Sequence, residues 1–189
     1  MQLNTTIKLL QPFCTTDEAR EYMLRPFGFT LNSIQYAAAT DGHRASFVRC
    51  PEAYTLIVPG APPVQHVIPS GAMSLLGHIR EDALAGAKAI PRKWHSTLEL
   101  GHNRCRFSAS KQGKKAIIEG APVDWVALDG LHDPRGINLQ YMLDAVAFIG
   151  TQVVSMWQGA DANCPYVFTP TDASHFDSEL FAIVMPVRV

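Results

Sequence analysis

Three stretches of the chain repeat one pattern, and this repeat limits the fold more than any other feature. Each stretch has a short apolar entry, a residue that can cap a helix, and apolar residues at helical spacing. The capping positions are Thr5 (or Asn4), Ser70 and Asn138, which are 65 and 68 residues apart. The apolar stripes that follow are Ile7, Leu10 and Phe13; Met73, Leu76 and Ile79; and Leu139, Met142, Leu143, Val146 and Ile149. Self-similarity at this period indicates repeated supersecondary units.

Strands are predicted between these helices, because apolar and polar residues alternate there and turn residues interrupt the runs. The predicted strand regions are residues 22–31, 33–48, 66–68, 97–100, 105–108, 116–120, 152–158, 166–169 and 181–187. Residues 50–63 contain four prolines, which indicates a connector. Gly150 is predicted to end the third helix, since glycine adopts the left-handed conformation at low cost. The sequence therefore predicts an α+β fold of three units, each a strand, a helix and several strands.

The composition is typical of a globular protein. Of 189 residues, 47% are hydrophobic and 17% are charged, which argues against disorder. No apolar run approaches the ~20 residues that span a bilayer, and the first four residues lack the features of a signal peptide. The cysteines form no C-x-x-C pair, which favours buried thiols in a reducing cytoplasm over disulfides or zinc. We therefore expect a cytoplasmic protein with no membrane partner. The cysteines are Cys14, Cys50, Cys105 and Cys164.

The net charge of −1 hides an uneven distribution. Between Arg80 and Lys115 there are nine basic and three acidic residues, a net charge of +6, so the remainder carries −7. A basic zone on an otherwise acidic protein can bind a phosphate backbone. Lysines scattered over solvated loops would give the same count, so both interpretations stay open.

The most distinctive short segment runs from Ala39 to Ser46 and contains Asp41, Gly42 and His43. It lies between two predicted strands, and Asp-Gly is a turn signal. Read alone, Asp41 and His43 are either half of a metal or acid/base site, as in a small metal-dependent hydrolase, or a strand end whose Asp accepts backbone N–H bonds. The chain has no Gly-rich phosphate loop, nucleophile elbow or Cys/His ligand pair. We therefore expect no catalytic residue, no metal and no cofactor.

Three segments, in order, resemble one protein family. Ala39 to Arg44 (Ala-Thr-Asp-Gly-His-Arg) resembles a turn in the middle domain of the bacterial DNA polymerase sliding clamp, the DNA polymerase III β subunit. Asn138 to Val146 resembles the inner helix in the second half of its last domain. Ala182 to Val189 resembles its C-terminal tail. The three matches together span nearly the whole chain.

The resemblance implies a DNA-clamp-like α+β fold, with antiparallel sheets outside and helices on one face. Residues 1–130 would form one clamp-like domain of two half-units, and residues 131–189 a clamp-like half-domain. The family's first domain and the first half of its last have no counterpart. Since three half-units leave one unpaired, we expect a homo-oligomer in which the third unit pairs with that of a second chain across a two-fold axis.

The resemblance also implies a hydrophobic groove that binds a short peptide from a polymerase, loader or repair protein. Met and Val would give an adaptable apolar floor, Pro186 would stop the tail from pairing onward, and the arginines would meet carboxylates or carbonyls. Ala45 replaces a larger aliphatic of the family, which implies a deeper groove or an altered peptide preference. Carried over residue by residue, the groove consists of Thr40, Gly42, His43, Arg44, Val184, Met185, Pro186, Val187 and Arg188.

Double-stranded DNA is the second partner that the resemblance implies. Contacts to phosphates need no sequence reading and depend steeply on salt. The predicted contact residues are Lys8, Arg80, Lys88, Arg92, Lys93, Lys111, Lys114 and Lys115.

These features lead to one expected function and two alternatives. The expected function is that of a non-catalytic processivity factor, which tethers a polymerase or another replication or repair protein to DNA. A peptide-binding adaptor or decoy that never encircles DNA is the first alternative, and the hydrolase is the second.

Overall fold

A computed structural model shows how these segments come together. The structure describes residues 3–50, 64–66, 73–80, 95–101, 104–111, 114–119, 124–125, 135–159, 164–171 and 178–187.

Two α-helices lie in the described residues, α1 (Leu3–Leu10) and α2 (Leu139–Ile149). The predicted ends of α2 are confirmed. The Asn138 side chain accepts from the Gln140 N–H at 2.9 Å, and Gly150 ends the helix at φ 69°. No helix in this part of the chain is long and apolar enough to cross a membrane.

Two 3₁₀ segments, Gln11–Phe13 and Glu18–Met23, follow α1. The second segment occupies the start of the region 22–31 that was predicted as a strand, so the strand begins only at Phe27. The reason is a local cap: the Asp17 side chain accepts from the Ala19 N–H at 3.1 Å and begins the turn there.

Fourteen strands form two sheets in the described residues. The first sheet has nine strands in the order β4-β1-β2-β3-β13-β12-β11-β5-β9, all antiparallel neighbours except β1 and β4. The second has five strands in the order β14-β10-β6-β7-β8. The strands are β1 (Phe27–Leu31), β2 (Ile34–Thr40), β3 (Arg44–Arg49), β4 (Val64–His66), β5 (Met73–Arg80), β6 (His95–Gly101), β7 (Arg104–Lys111), β8 (Lys114–Glu119), β9 (Asp124–Trp125), β10 (Arg135–Asn138), β11 (Val153–Gly159), β12 (Tyr166–Pro170), β13 (Leu180–Val184) and β14 (Pro186–Val187).

The predicted helix of the second unit is wrong. Met73–Arg80 is strand β5, which pairs with β11 on one side and β9 on the other. A short apolar run fits both periods, and here two neighbouring strands satisfy its backbone groups. Gly77 also lowers the helix propensity of this run. Arg80 therefore ends a strand and does not lie on a helix.

The helices lie together on one face of the nine-stranded sheet, as predicted. Phe13, just after α1, meets Phe148 of α2 edge-to-face at 5.3 Å between ring centroids. The core beneath them combines Leu10, Ala37 and Val48 from the first unit with Met142 and Phe168 from the third. All are at most 2% exposed.

The first and third units share this core because β3 pairs with β13 along Arg44–Val48 and Leu180–Val184. The expectation that the third unit lacks a partner within the chain is therefore wrong. Its helix buries Leu139, Met142 and Val146 against the chain's own sheet. Both sheets combine strands that precede residue 130 with strands that follow it, and the division into residues 1–130 and 131–189 stays a prediction.

The opposite face of the sheet carries an aromatic cluster. Phe47 stacks on Phe181 at 4.4 Å and 11°, and Tyr36 meets Phe181 edge-to-face at 5.3 Å. Phe29 lies 5.2 Å from Phe47 at its border. These rings make β1, β2, β3 and β13 a rigid support for the turn between β2 and β3.

Candidate binding site at the β2–β3 turn and the tail

The turn between β2 and β3 is held by its own side chains. The Thr40 hydroxyl donates to the Arg44 carbonyl at 2.7 Å and accepts from the Gly42 N–H at 3.0 Å. Asp41 Oδ1 accepts from the N–H groups of His43 and Arg44 at 2.9 and 3.1 Å. Gly42 has φ 90°, a backbone conformation that residues other than glycine adopt only at an energetic cost. The turn is therefore a rigid Asx-type loop.

Asp41 is occupied by this loop, since its second oxygen accepts from Arg44 Nε at 3.0 Å. Of the two interpretations of the sequence, the turn-capping one matches these contacts. Within the described ranges no three His, Cys, Asp or Glu side chains come together as a metal site.

Arg44 points to the helix face and is nearly enclosed, with 12% of its side chain exposed. Its guanidinium pairs with Asp41 and with Asp144 of α2, and it donates from Nη2 to the Pro12 carbonyl at 3.0 Å. Its Cζ atom lies 5.0 Å from the Phe13 ring centroid and 4.8 Å from that of Tyr141. The resemblance implies that this arginine meets carboxylates or carbonyls of a bound peptide. In the structure it fastens the turn to α2 and to the segment that follows α1.

The tail meets the turn. Val184 is the partner of Arg44 in the β3–β13 register, and Ile183 is the partner of Ala45. Beyond the strand, the Met185 N–H donates to the His43 carbonyl at 2.8 Å. Met185 is 41% exposed, and no other large hydrophobic side chain is exposed in the described part of the chain.

The expectation that Pro186 stops the pairing of the tail is wrong. Pro186 pairs with Ile137, and Val187 pairs with Gly136, so the tail crosses from the first sheet to the edge of the second. An edge strand tolerates proline because the missing N–H can face outward. The predicted strand 181–187 is accordingly broken at Met185.

A polar depression of about 510 Å³ lies beside the turn on the helix face. His43 borders it and stacks on Tyr141 at 6.1 Å and 14°. Arg20 also borders it, and donates to the Asp41 carbonyl at 3.2 Å. No local motif in the sequence marks Arg20 or Tyr141 as site residues, because only the packing of separate elements brings them there. The lining residues are Pro12, Cys14, Thr15, Thr16, Asp17, Arg20, Asp41, His43, Arg44 and Tyr141.

Cys14 is half-buried at this depression. Burial raises the pKa of its thiol above the ordinary value, and the nearby Asp41 carboxylate raises the pKa further. The neutral thiol is therefore the stable form at neutral pH.

The face opposite Arg44 carries an apolar row that reaches the turn. Ala45, Ile183, Val167 and Trp157 are successive partners on β3, β13, β12 and β11. All four belong to the same hydrophobic cluster as Tyr36, Phe47 and Phe181, and only Val167 among the four is fully buried. Ile183 lies two residues before the exposed Met185, and the partly exposed apolar side chains of the row give this face a surface suited to an apolar ligand.

The predicted DNA-contact residues are separated in the structure. Lys8 is exposed on α1. Lys111 and Lys114 are register partners on β7 and β8, and Lys115 is the partner of Ser110. Lys88, Arg92, Lys93 and the groove residue Arg188 lie outside the described residues.

Solved structures with the same architecture are bacterial sliding clamps. The DNA polymerase sliding clamp of Caulobacter crescentus matches with a TM-score of 0.68 and 20% identity over 100% of this chain. The clamp of Bartonella birtlesii, solved bound to griselimycin, matches with a TM-score of 0.67 and 16% identity over 99% of this chain. The clamp of Pseudomonas aeruginosa, solved with a ligand, matches with a TM-score of 0.67 and 19% identity over 99% of this chain.

The match covers only part of these proteins. The chain spans 65% of the Caulobacter clamp and 64% of the other two. No protein-family model and no curated protein matches the chain. The likeness thus concerns the fold, over the whole of this chain.

Proposed function

We propose that this chain, which has the fold of the bacterial DNA polymerase sliding clamps, is a non-catalytic clamp-like processivity factor. It tethers a polymerase or another replication or repair protein to double-stranded DNA by binding a short peptide of that partner. The observation that carries this proposal is the junction of turn and tail, where Met185 donates to the His43 carbonyl beside the Arg44–Val184 pair.

The chemistry of this junction suits a peptide with apolar side chains. Met185 is exposed and adaptable, and the row of Ala45, Ile183 and Trp157 continues from it across the sheet. At the turn end of this row, the exposed residues Gly42 and His43 offer polar groups for a peptide backbone. An apolar floor with a few polar groups at its border is typical of such sites.

Two features support a DNA-bound role. The helices lie on one face of the sheet, with Lys8 exposed on α1, and the pairing of β7 with β8 places Lys111, Lys114 and Lys115 at neighbouring register positions. Non-specific phosphate contacts of this kind need no reading of bases, and they weaken steeply with salt.

We propose that several copies of the chain assemble into the ring. Among the described strands, β9 and β4 end the first sheet, and β14 and β8 end the second. Such edges can pair with another chain. We therefore propose a homo-oligomer that closes through sheet edges.

A binding titration tests the groove. The probe is griselimycin, which the Bartonella clamp binds. We expect saturable binding that Met185→Ser weakens about tenfold, the loss of roughly 1.4 kcal/mol of apolar contact. Ala147→Ser, at an exposed alanine of α2, is the matched control and should leave the affinity unchanged. Binding that Met185→Ser does not alter would contradict the groove.

Retention on DNA tests the processivity role. The protein is loaded onto a linear duplex with one blocked end, the other end is then blocked, and the DNA is washed in high salt. We expect the protein to remain until a restriction enzyme cuts the duplex. Loss in the wash together with intact probe binding would instead favour the peptide-binding adaptor.

A further inference from the structure

We propose that Asp144 of α2 is a positioning residue for the turn–tail site: acting through Arg44, it holds the Thr40–Arg44 turn in the form that the tail pairs with. Its effect on peptide binding rests on the function proposed above. Its effect on the turn itself does not, and can be measured without any ligand.

The contact between helix and turn is direct. Asp144 Oδ2 accepts from Arg44 Nη1, and only 21% of the Asp144 side chain is exposed. Gln140, one helical turn earlier, donates from Nε2 to Asp144 Oδ1 at 2.9 Å. Both carboxylate oxygens are therefore used, and the side chain is fixed in one orientation.

Arg44 transmits this constraint to the turn. Its Nε donates to Asp41 Oδ2 at 3.0 Å, and Asp41 Oδ1 holds the N–H groups of His43 and Arg44. The Phe13 and Tyr141 rings lie on the guanidinium, which excludes water and strengthens both ion pairs. A displacement of Arg44 would therefore move Asp41, and with it the backbone of the turn.

The β2–β3 turn also fixes the position of the tail. The His43 carbonyl, which accepts from the Met185 N–H at 2.8 Å, belongs to the segment that Asp41 caps. The chain of contacts runs from Gln140 and Asp144 through Arg44 and Asp41 to His43 and Met185. It links the helix face of the sheet to the exposed methionine.

Hydrogen exchange of the unliganded protein tests the turn. Asp144→Asn keeps the size of the side chain but removes the charge that pairs with Arg44. We expect the amides of His43, Arg44 and Met185 to exchange about tenfold faster, with amides in β11 and β12 unchanged. Uniform acceleration throughout the chain would mean a merely structural role and would overturn the proposal.

The matched control is Glu179→Gln. Glu179 pairs with Arg49 at 3.9 Å at the other end of the same strand pair and is 81% exposed. The Glu179→Gln substitution should leave the exchange rates of the turn amides within twofold of the wild-type rates. Gln140→Leu, which removes only the group that orients Asp144, should accelerate the same three amides by a smaller factor. It serves as the test variant if Asp144→Asn does not fold.

A griselimycin titration then separates the two proposals. Asp144→Asn should raise the Kd about tenfold while Glu179→Gln leaves it unchanged. If the wild type itself does not bind, the function proposed above fails, whereas the exchange result still decides the positioning role. If exchange at the turn and affinity both stay at wild-type values in Asp144→Asn, the positioning role is wrong.

Discussion

The backbone N–H of Met185 donates to the carbonyl of His43 at 2.8 Å, although the two residues lie 142 positions apart in the chain. This bond extends the β3–β13 ladder by one step beyond the Arg44–Val184 pair. An exposed methionine is thereby fixed next to an exposed histidine at the border of the helix face.

Replacing Arg44 with methionine should destabilise the protein by about 3–5 kcal/mol, because it leaves two partly buried carboxylates without their cation. The carboxylates belong to Asp41 and Asp144. Urea unfolding measures the change. Arg49→Met is the matched control: its partner Glu179 is exposed, and the loss should be at most about 1 kcal/mol. Equal losses in both variants would contradict the central position given to Arg44.

Replacing Gly42 with alanine should destabilise the protein by about 1–3 kcal/mol, because φ 90° strains a residue that has a Cβ. The new Cβ would also lie 3.0 Å from Arg20 Nη1. Gly150→Ala, also at positive φ but with no neighbour closer than 3.8 Å, provides the comparison by thermal unfolding. Only the Gly42 variant should also weaken griselimycin binding. A variant with wild-type stability would show that the turn has another conformation.

Replacing Ser46 with alanine should raise stability by about 1 kcal/mol, since its buried hydroxyl has no hydrogen-bond partner in the described part of the protein. Ser46 lies between Ala39 and Ala182 on neighbouring strands. Ser46→Val, which adds bulk at the same place, should instead lower stability by about 1–3 kcal/mol through overpacking. Both values come from urea denaturation. A loss of stability in the alanine variant would mean that the hydroxyl is bonded.

Alkaline pH should act on Cys14. Burial, aided by Asp41, raises the folded-state pKa of this thiol above the ordinary value of 9.0. The folded state therefore keeps its proton where the unfolded state loses it. The resulting stability is present below pH 9.0 and is lost as the pH rises through the folded pKa.

Two measurements check this expectation. The free energy of unfolding of the wild type should fall above pH 9 more steeply than that of Cys14→Ala. Alkylation of Cys14 with iodoacetamide should need a higher pH in the folded protein than in urea. Parallel pH curves for the two proteins would contradict the assigned pKa direction.

The helix α2 and its ends could be predicted from sequence because the signals are local. Asn138, the apolar stripe and Gly150 each act within one or two turns of the chain. The β2–β3 turn was predictable for the same reason, since Asp41 caps backbone groups only two and three residues away.

The second unit could not be predicted in this way. Met73 to Ile79 has an apolar pattern that fits a helix, and the strand form depends on β11 and β9, whose partners lie far along the chain. The union of the first and third units likewise depends on the long-range pairing of β3 with β13. No local pattern indicates which strand edges meet.

The residues of the candidate site differ in the same way. Thr40 to Arg44 and the tail were found from short motifs, whereas Arg20, Tyr141 and Asp144 enter only through packing of the helices on the turn. The role of Arg44 changed for this reason: the sequence gives a cation at a turn, and only the fold brings Asp144 to it.

The length of DNA copied by a bacterial replicative polymerase in one binding event tests the central claim most directly. A primed linear template is suitable, because a ring can enter it from a free end. We expect longer products with the wild-type protein than with the polymerase alone, and shorter products with Met185→Ser than with the wild type. Equal product lengths with and without the wild-type protein would contradict it.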